Sequence, residues 1–91
     1  MKITFDPRKN ERNIRERGLS FERAAEFDFD TAYIATEFRR GEFRKLAVGH
    51  LDRRLHVLCY LVIPDGMRVI SFRRASEREA KKYGKPKTLD G

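Results

Sequence analysis

The residues best suited to chemistry in this sequence are arginines that fall in predicted strands and have carboxylates nearby. Arg44 follows Glu42 by two residues, and Arg73 precedes Glu79 by six. A guanidinium is planar and donates a fork of hydrogen bonds that matches the oxygens of a phosphate. Two arginines held rigidly by a sheet could therefore bind a phosphate group and stabilise charge that develops on it. The alternative is that both arginines only form surface ion pairs with these glutamates, which contribute little to stability.

The charge of the 91-residue chain narrows the class of partner. Lysines and arginines number 21 against 14 aspartates and glutamates, which gives a net charge of +7. This excess favours a polyanionic partner such as nucleic acid, an acidic protein or an anionic membrane. Residues 20–37 are different, because they carry five acidic residues against Arg23 alone. The chain is therefore expected to have an acidic surface and a basic surface. These two surfaces could serve two partners or pack against each other.

Several kinds of site are not indicated by the sequence. Cys59 is the single cysteine, so no internal disulfide is expected, and its apolar surroundings are typical of a buried thiol. His50 and His56 have no companions at metal-ligand spacing and are interpreted as structural, and no metal or cofactor is predicted. No signal peptide is visible, and the longest apolar run is far shorter than the ~20 residues of a membrane helix. We therefore expect a cytoplasmic protein that does not contact the membrane.

Two N-terminal helices are predicted ahead of the strands. "DPRKNERNIRERG" has Asp6 as an N-cap and Gly18 just beyond its end, and "LSFERAAEFDFD" is a short second helix that Ser20 can cap. The preceding "KITF" is either a short strand or an extended lead-in. A last helix, "SEREAKKY", begins after Ser76 and stops at Gly84.

Four strands are predicted between these helices, in "TAYIATEF", "FRKLAVGH", "LHVLCYLVI" and "MRVISFR". The links that join them are short, and short links favour antiparallel hairpins. The predicted fold is α+β, with two N-terminal helices, a four-stranded antiparallel sheet and a C-terminal helix. The helices are expected on one face of the sheet and at its edge. Residues 1–84 form the single domain, and residues 85–91 are predicted to be a flexible tail.

The order of several short motifs resembles that of the BrnT toxins of bacterial type II toxin–antitoxin systems. The segments "FDPRKN", "NIRERG" and "LSFERA" come first, and "FDFD" follows. Gly41, Glu42, Arg44 and Gly49 match the next motif, and "RVISFRRA" with Glu79 and Tyr83 matches the closing one. The resemblance covers about residues 3–83. The main departure is Arg17, because the family usually has a histidine at that position.

The resemblance implies a RelE-like fold and an endoribonuclease that stops translation when it is free. It implies neutralisation by a BrnA-type antitoxin, in a complex expected to be a heterotetramer. It also implies that promoter DNA is bound indirectly, through the antitoxin.

With RNA as the substrate, candidate roles can be given to individual residues. Metal-free cleavage needs a base for the 2′-hydroxyl, cations for the phosphorane and an acid for the leaving oxygen. The catalytic candidates are Arg44 and Arg73 as cations, Glu42 as a base or a residue that orients Arg44, Glu79 as a lock on Arg73, and Tyr83 as an acid, a stacking surface or a core residue. The RNA-binding candidates are Lys9, Arg12, Arg17, Arg74 and Arg78.

Two other functions are compatible with the sequence. A non-catalytic basic module, such as a nucleic-acid-binding or adaptor subunit, would bind RNA without cutting it. A toxin inactivated by sequence drift, with Arg17 as the lesion, would regain cleavage when that residue is changed to histidine.

Overall fold

The structure, a computed structural model, describes residues 1–90 as a mixed sheet with short helices. The elements are β1 (Lys2–Thr4), α1 (Pro7–Arg17), a 3₁₀ helix (Phe21–Glu26), β2 (Tyr33–Arg39), β3 (Glu42–Leu51), β4 (Arg54–Ile63), β5 (Gly66–Arg74) and α2 (Glu77–Lys82). The strand order is β1-β5-β4-β3-β2. No helix within residues 1–90 has the length and apolar composition needed to cross a membrane. Gly91, the last residue of the predicted tail, lies outside the described residues.

The predicted four-stranded antiparallel sheet is wrong, although the α+β class is right. β1 adds a fifth strand and pairs in parallel with β5, with Lys2 opposite Gly66. The other three pairings, β2 with β3, β3 with β4 and β4 with β5, are antiparallel. A side chain at Gly66 would overlap the backbone of Lys2. Link length predicts only pairings between consecutive strands, so it could not reveal this contact between distant parts of the chain.

The prediction of two N-terminal α-helices is also wrong. The first segment is α1, whose N-cap Asp6 accepts a hydrogen bond from Arg8 and whose end is at Gly18, with φ of 64°. The second segment forms only a six-residue 3₁₀ helix, and Phe27 after it has an extended backbone. 3₁₀ geometry is typical of such short connecting turns.

Helices cover both faces of the sheet, which corrects the expectation of a single covered face. On one face, residues of the 3₁₀ helix region pack on β3, β4 and β5, in a cluster that includes Phe21, Ala24, Phe27, Ala47, Leu58 and Phe72. On the other face, Ala80 of α2 and Tyr83 just after this helix pack with Val48, Leu55, Val57 and Ala75. Side chains alternate along a strand, so the nearly continuous apolar run of β4 supplies both clusters.

A buried asparagine holds α1 against the free part of the β5 edge. Asn13 Nδ2 donates to the backbone oxygens of Leu19 and Phe72, each at 2.9 Å. Asn10 Oδ1 accepts a hydrogen bond of 2.7 Å from the backbone of Phe21. These contacts fix where α1 ends, and therefore where Arg17 lies.

Residues 85–90 return to the β3–β4 hairpin. The backbone nitrogen of Leu55 donates to Lys87 at 2.8 Å, and that of Leu89 donates to Arg53 at 2.7 Å. His50 Nε2 lies 2.8 Å from the backbone oxygen of Pro86. This segment therefore contacts the side of the hairpin that carries His50.

Candidate active site

A cationic cleft of about 500 Å³ opens where α1 ends beside the β3–β4 turn and the end of β5. We call it the sheet-end cleft. Its charged lining consists of five arginines and two carboxylates: Arg17, Arg23, Arg54, Arg73, Arg74, Glu16 and Asp52. His56 lines it as well. A cleft with this excess of positive charge is suited to an anionic ligand.

The five arginines differ in how their charge is compensated. Arg23 contacts Asp52 at 2.6 Å and Glu26 at 2.9 Å. Arg17, Arg54 and Arg74, by contrast, have no carboxylate oxygen of residues 1–90 within 4.0 Å of their guanidinium nitrogens. Three guanidinium charges in the cleft are therefore available to a ligand.

Arg73 is held by Glu79 in a bidentate ion pair across β5 and α2. Its two terminal nitrogens lie 2.8 and 2.9 Å from the two carboxylate oxygens. The same carboxylate accepts a hydrogen bond from the backbone of Ser76, whose hydroxyl accepts one from the backbone of Glu79, and together these form a capping box. The Arg73 hydrogen bonds, helped by those from Ser76, lower the pKa of Glu79 to about 2. Arg73 is thus rigidly oriented, and its charge is partly neutralised.

Arg44 and Glu42 form a separate pair at the start of β3. Their closest charged atoms are 3.5 Å apart, and Arg44 Nε is buried without a hydrogen bond to any of the described residues, 1–90. Arg44 lies four residues before Val48, which is paired through Val57 with Arg73. Strand geometry then separates the two arginines by about 13 Å along the sheet and about 10 Å across it. The two arginines share a face of the sheet, but their backbone positions are too far apart for both to lie beside one phosphate.

The RNA-binding candidates fall mostly along α1. Lys9, Arg12 and Arg17 line a second cleft of about 320 Å³ between α1 and β5, which we call the α1 groove. Arg17 belongs to both clefts, so the α1 groove leads into the sheet-end cleft. Arg74 lines the sheet-end cleft, whereas Arg78 is exposed on α2 and lines neither.

Tyr83, the remaining candidate, lies away from both clefts. Its half-buried ring packs against Tyr33, with the ring centroids 5.0 Å apart. Lys82 Nζ lies 5.3 Å from the centre of the same ring. The structure therefore divides the five catalytic candidates into Arg73 with Glu79, Arg44 with Glu42, and Tyr83 alone.

His56 is the cleft residue that sequence reasoning interpreted as structural. Its ring is buried and lies 5.5 Å from that of Phe72, which fits that interpretation, yet it also lines the sheet-end cleft. Burial, together with the positive charges of Arg74 and Arg54, holds the pKa of His56 below its ordinary value. The alternation of Arg54, His56 and Leu58 along the strand is a signal that could have placed His56 beside a cation, because it puts all three side chains on one face. The pairing of His56 with Arg74 depends on strand register, which the sequence does not reveal.

The Arg73–Glu79 pair predicts a pH-dependent stability difference. Changing Glu79 to Gln should lower the free energy of unfolding at pH 7 by about 1–2 kcal/mol, because an ion pair and part of a helix cap are lost. A carboxylate with a lowered pKa stabilises the fold above its ordinary value of 4.5, and this contribution is lost as the pH falls toward about 2. Urea denaturation should therefore show the difference shrinking below pH 4.5. Glu77→Gln, on the exposed side of the same helical turn, is the control, and equal stability of the two variants would contradict the prediction.

Comparison with known proteins identifies the family. The family model described as "Ribonuclease toxin, BrnT, of type II toxin-antitoxin system" matches residues 5–79, which include α1, all four antiparallel strands and Glu79. Searches of curated proteins and of solved structures found no match to this chain. The match confirms the resemblance drawn from the motifs, and the chain therefore belongs to the BrnT family of type II ribonuclease toxins.

Proposed function

We propose that this protein is a metal-independent endoribonuclease of the cytoplasm that cuts RNA by attack of the 2′-hydroxyl on the adjacent phosphate and thereby inhibits translation. Family membership supports the ribonuclease activity. The observation that supports this mechanism is the sheet-end cleft, where Arg17, Arg54 and Arg74 have no carboxylate partner among residues 1–90. Guanidinium groups can stabilise the charge of a phosphorane in a partly enclosed site without a metal ion.

The positions of the basic residues suggest a path for the RNA strand. In this proposal the α1 groove, with Lys9 and Arg12, guides the backbone toward the sheet-end cleft. Arg73, oriented by Glu79, and Arg74 contact the scissile phosphate there. Arg73 and Arg74 come from a strand that the sheet holds rigidly, and Asn13 holds the end of α1 that carries Arg17. Rigid elements of this kind favour precise positioning.

The remaining candidates are proposed to contact the RNA away from the scissile phosphate. Arg44, oriented by Glu42, is too far along the sheet to share a phosphate with Arg73, so we assign it a neighbouring backbone contact. Arg78 is exposed and suited to a long-range electrostatic role. Tyr83 is half-buried, and we assign the exposed part of its ring as a stacking surface.

Cleavage in the presence of a metal chelator tests the proposal. Purified protein, free of antitoxin, should cut a labelled mixed-sequence RNA in EDTA and leave 2′,3′-cyclic phosphate ends. The Arg44→Ala/Arg73→Ala variant should cut at least about 100-fold more slowly, because transition-state charge stabilisation is lost. The rate of product formation and the chemistry of the new ends are the measurements.

A matched variant separates a catalytic effect from a change in net charge. Lys81→Ala/Lys82→Ala also removes two positive charges, from exposed positions of α2 that line neither cleft, and should cut at nearly the parental rate. Salt-sensitive RNA binding with no cleavage by the parent protein would contradict the proposal and favour the non-catalytic binding module. Cleavage that appears only after Arg17→His would favour the drifted toxin.

We further propose that a BrnA-type antitoxin neutralises this toxin in a heterotetramer and links it to promoter DNA. Membership of a type II toxin–antitoxin family implies an antitoxin protein. Phe38 and Phe43, at the hairpin between β2 and β3, are 65% and 70% exposed, and their ring centroids are 4.9 Å apart. Exposed aromatic residues that cluster in this way commonly mark protein contacts. The acidic segment 20–37 and α1 are the other candidate surfaces.

Changing the aromatic pair should weaken the toxin–antitoxin complex. We expect Phe38→Ser/Phe43→Ser to lower affinity for the antitoxin at least about tenfold, because apolar contacts at the centre of an interface are lost. Ile14→Ser, which removes an exposed apolar side chain from α1, should bind normally. Co-purification ranks the parent protein and the two variants by their affinity for the antitoxin, and light scattering measures the mass of the complex. Loss of binding only in Ile14→Ser would instead assign the contact to α1.

A further inference from the structure

One ring nitrogen of His56 is held by the protein, and this contact sets the tautomer of the imidazole. Nδ1 lies 2.7 Å from the backbone oxygen of Arg54. A carbonyl oxygen can only accept a hydrogen bond, so Nδ1 of the neutral ring carries the hydrogen. The lone pair is therefore on Nε2, which is the atom that a general base would use.

The second nitrogen is not used by the fold. Nε2 makes no hydrogen bond to any residue within 1–90. The side-chain atoms of that range that are both fully buried and without a partner are Nε of Arg44 and Nε of Arg54, so Nε2 of His56 is not fully buried. Nε2 thus keeps contact with the space of the sheet-end cleft, which His56 lines. Burial keeps the pKa of the ring low, so the imidazole is neutral at pH 7.

The groups beside His56 are those that cleavage of a phosphodiester requires. Arg74 is its cross-strand partner on β5, and paired residues have Cβ atoms about 4.5–5.5 Å apart. Arg54 precedes it by two residues and shares its face of β4. Arg17 enters the same cleft from α1. A neutral base is therefore surrounded by three guanidinium groups that have no carboxylate partner within residues 1–90.

We infer that His56 is the general base of the ribonuclease reaction, an inference that rests on the function proposed above. Nε2 takes the proton of the 2′-hydroxyl as the 2′-oxygen bonds to phosphorus, and the bond from phosphorus to the 5′-oxygen breaks. The products are a 2′,3′-cyclic phosphate and a 5′-oxygen that takes a proton from water. The hydroxide formed then receives the proton from the imidazolium, which restores neutral His56. The substrate must carry a free 2′-hydroxyl.

Substitution of His56 tests this assignment in the full-length protein. His56→Ala and His56→Gln should cleave RNA about 10²–10⁴-fold more slowly while they retain RNA affinity, and added imidazole should partly restore His56→Ala. His50→Gln is the matched control, because His50 is also buried but lies on the opposite face of the sheet, against Pro86. Gln is close to His in size, so His56→Gln gives an answer even if the alanine variant fails to fold.

A substrate with a 5′-bridging sulfur distinguishes a base from an acid. Sulfur departs without protonation, so a variant that lacks the base stays slow, whereas one that lacks the acid recovers. Recovery of His56→Gln on this substrate would show that His56 is an acid and would overturn the inference. Parental rates in both His56 variants would overturn it too, yet leave the ribonuclease proposal intact. Absence of cleavage by the parent protein would overturn both.

The pH dependence of the parent protein is an independent readout. The rate of cleavage should rise with pH as His56 loses its proton, with the midpoint of the rise below the ordinary value of 6.5, since the neutral ring is active. The charged groups that line the cleft together with the ring are Arg54, Asp52, Arg73, Arg74, Glu16, Arg17 and Arg23. The rising limb should be absent from any residual activity of His56→Gln. A parental rate that is constant between pH 4 and 7 would contradict the assignment.

Discussion

The hydrogen bonds of Asn13 are the constraint on which the site depends. α1 is almost wholly polar, and its one large apolar residue, Ile14, is exposed, so apolar packing cannot hold this helix in place. The Asn13 amide instead joins Leu19 and Phe72, and thereby attaches α1 to the β5 edge that β1 leaves open. Leaving these buried carbonyls without a donor would cost about 1–3 kcal/mol. The same amide accepts a hydrogen bond from Arg17, which lines both clefts.

The central strand connects the core to the chemistry. β4 places Leu55 and Val57 against α2 on one face and Leu58 against the 3₁₀ helix region on the other. Toward the β3–β4 turn, the second of these faces continues as His56 and Arg54 and becomes the wall of the sheet-end cleft. A rigid, fully paired strand therefore carries the imidazole. Arg73 reaches this cleft from β5 while Glu79 ties it to α2, so elements on both sides of the sheet contribute to one site.

Local signals in the sequence predicted local structure well. Asp6, Ser20, Ser76 and Gly18 cap or end helical segments as their residue types indicate. The errors came from features without a local signal. β1 has only three residues, and its parallel partner lies some sixty residues away in the chain. The second segment has a good cap but forms a six-residue 3₁₀ helix before the extended backbone at Phe27, and a cap does not distinguish this geometry from an α-helix.

The site shows the same division between local and long-range information. Arg17, Arg73 and Arg74 were selected from motifs and residue type, and the structure brings them to one cleft. Arg44 was selected for the same reasons, but strand register places it elsewhere on the sheet. The sequence indicates a structural role for His56, because its neighbours along the chain are apolar and the arginines that lie near it in space are distant in sequence or placed by strand register. The tautomer of the ring follows from a backbone contact that no sequence pattern encodes.

Mapping of bound RNA by nuclear magnetic resonance tests the central claim most directly, namely that RNA is cut in the sheet-end cleft. An oligonucleotide with 2′-O-methyl groups cannot attack its own phosphate, so it should form a stable complex with the active protein. Titration should shift the His56 ring signals and the guanidinium signals of Arg17 and Arg74 most strongly, with His50 unaffected. Shifts centred on Arg44 and Glu42, with His56 unchanged, would contradict it.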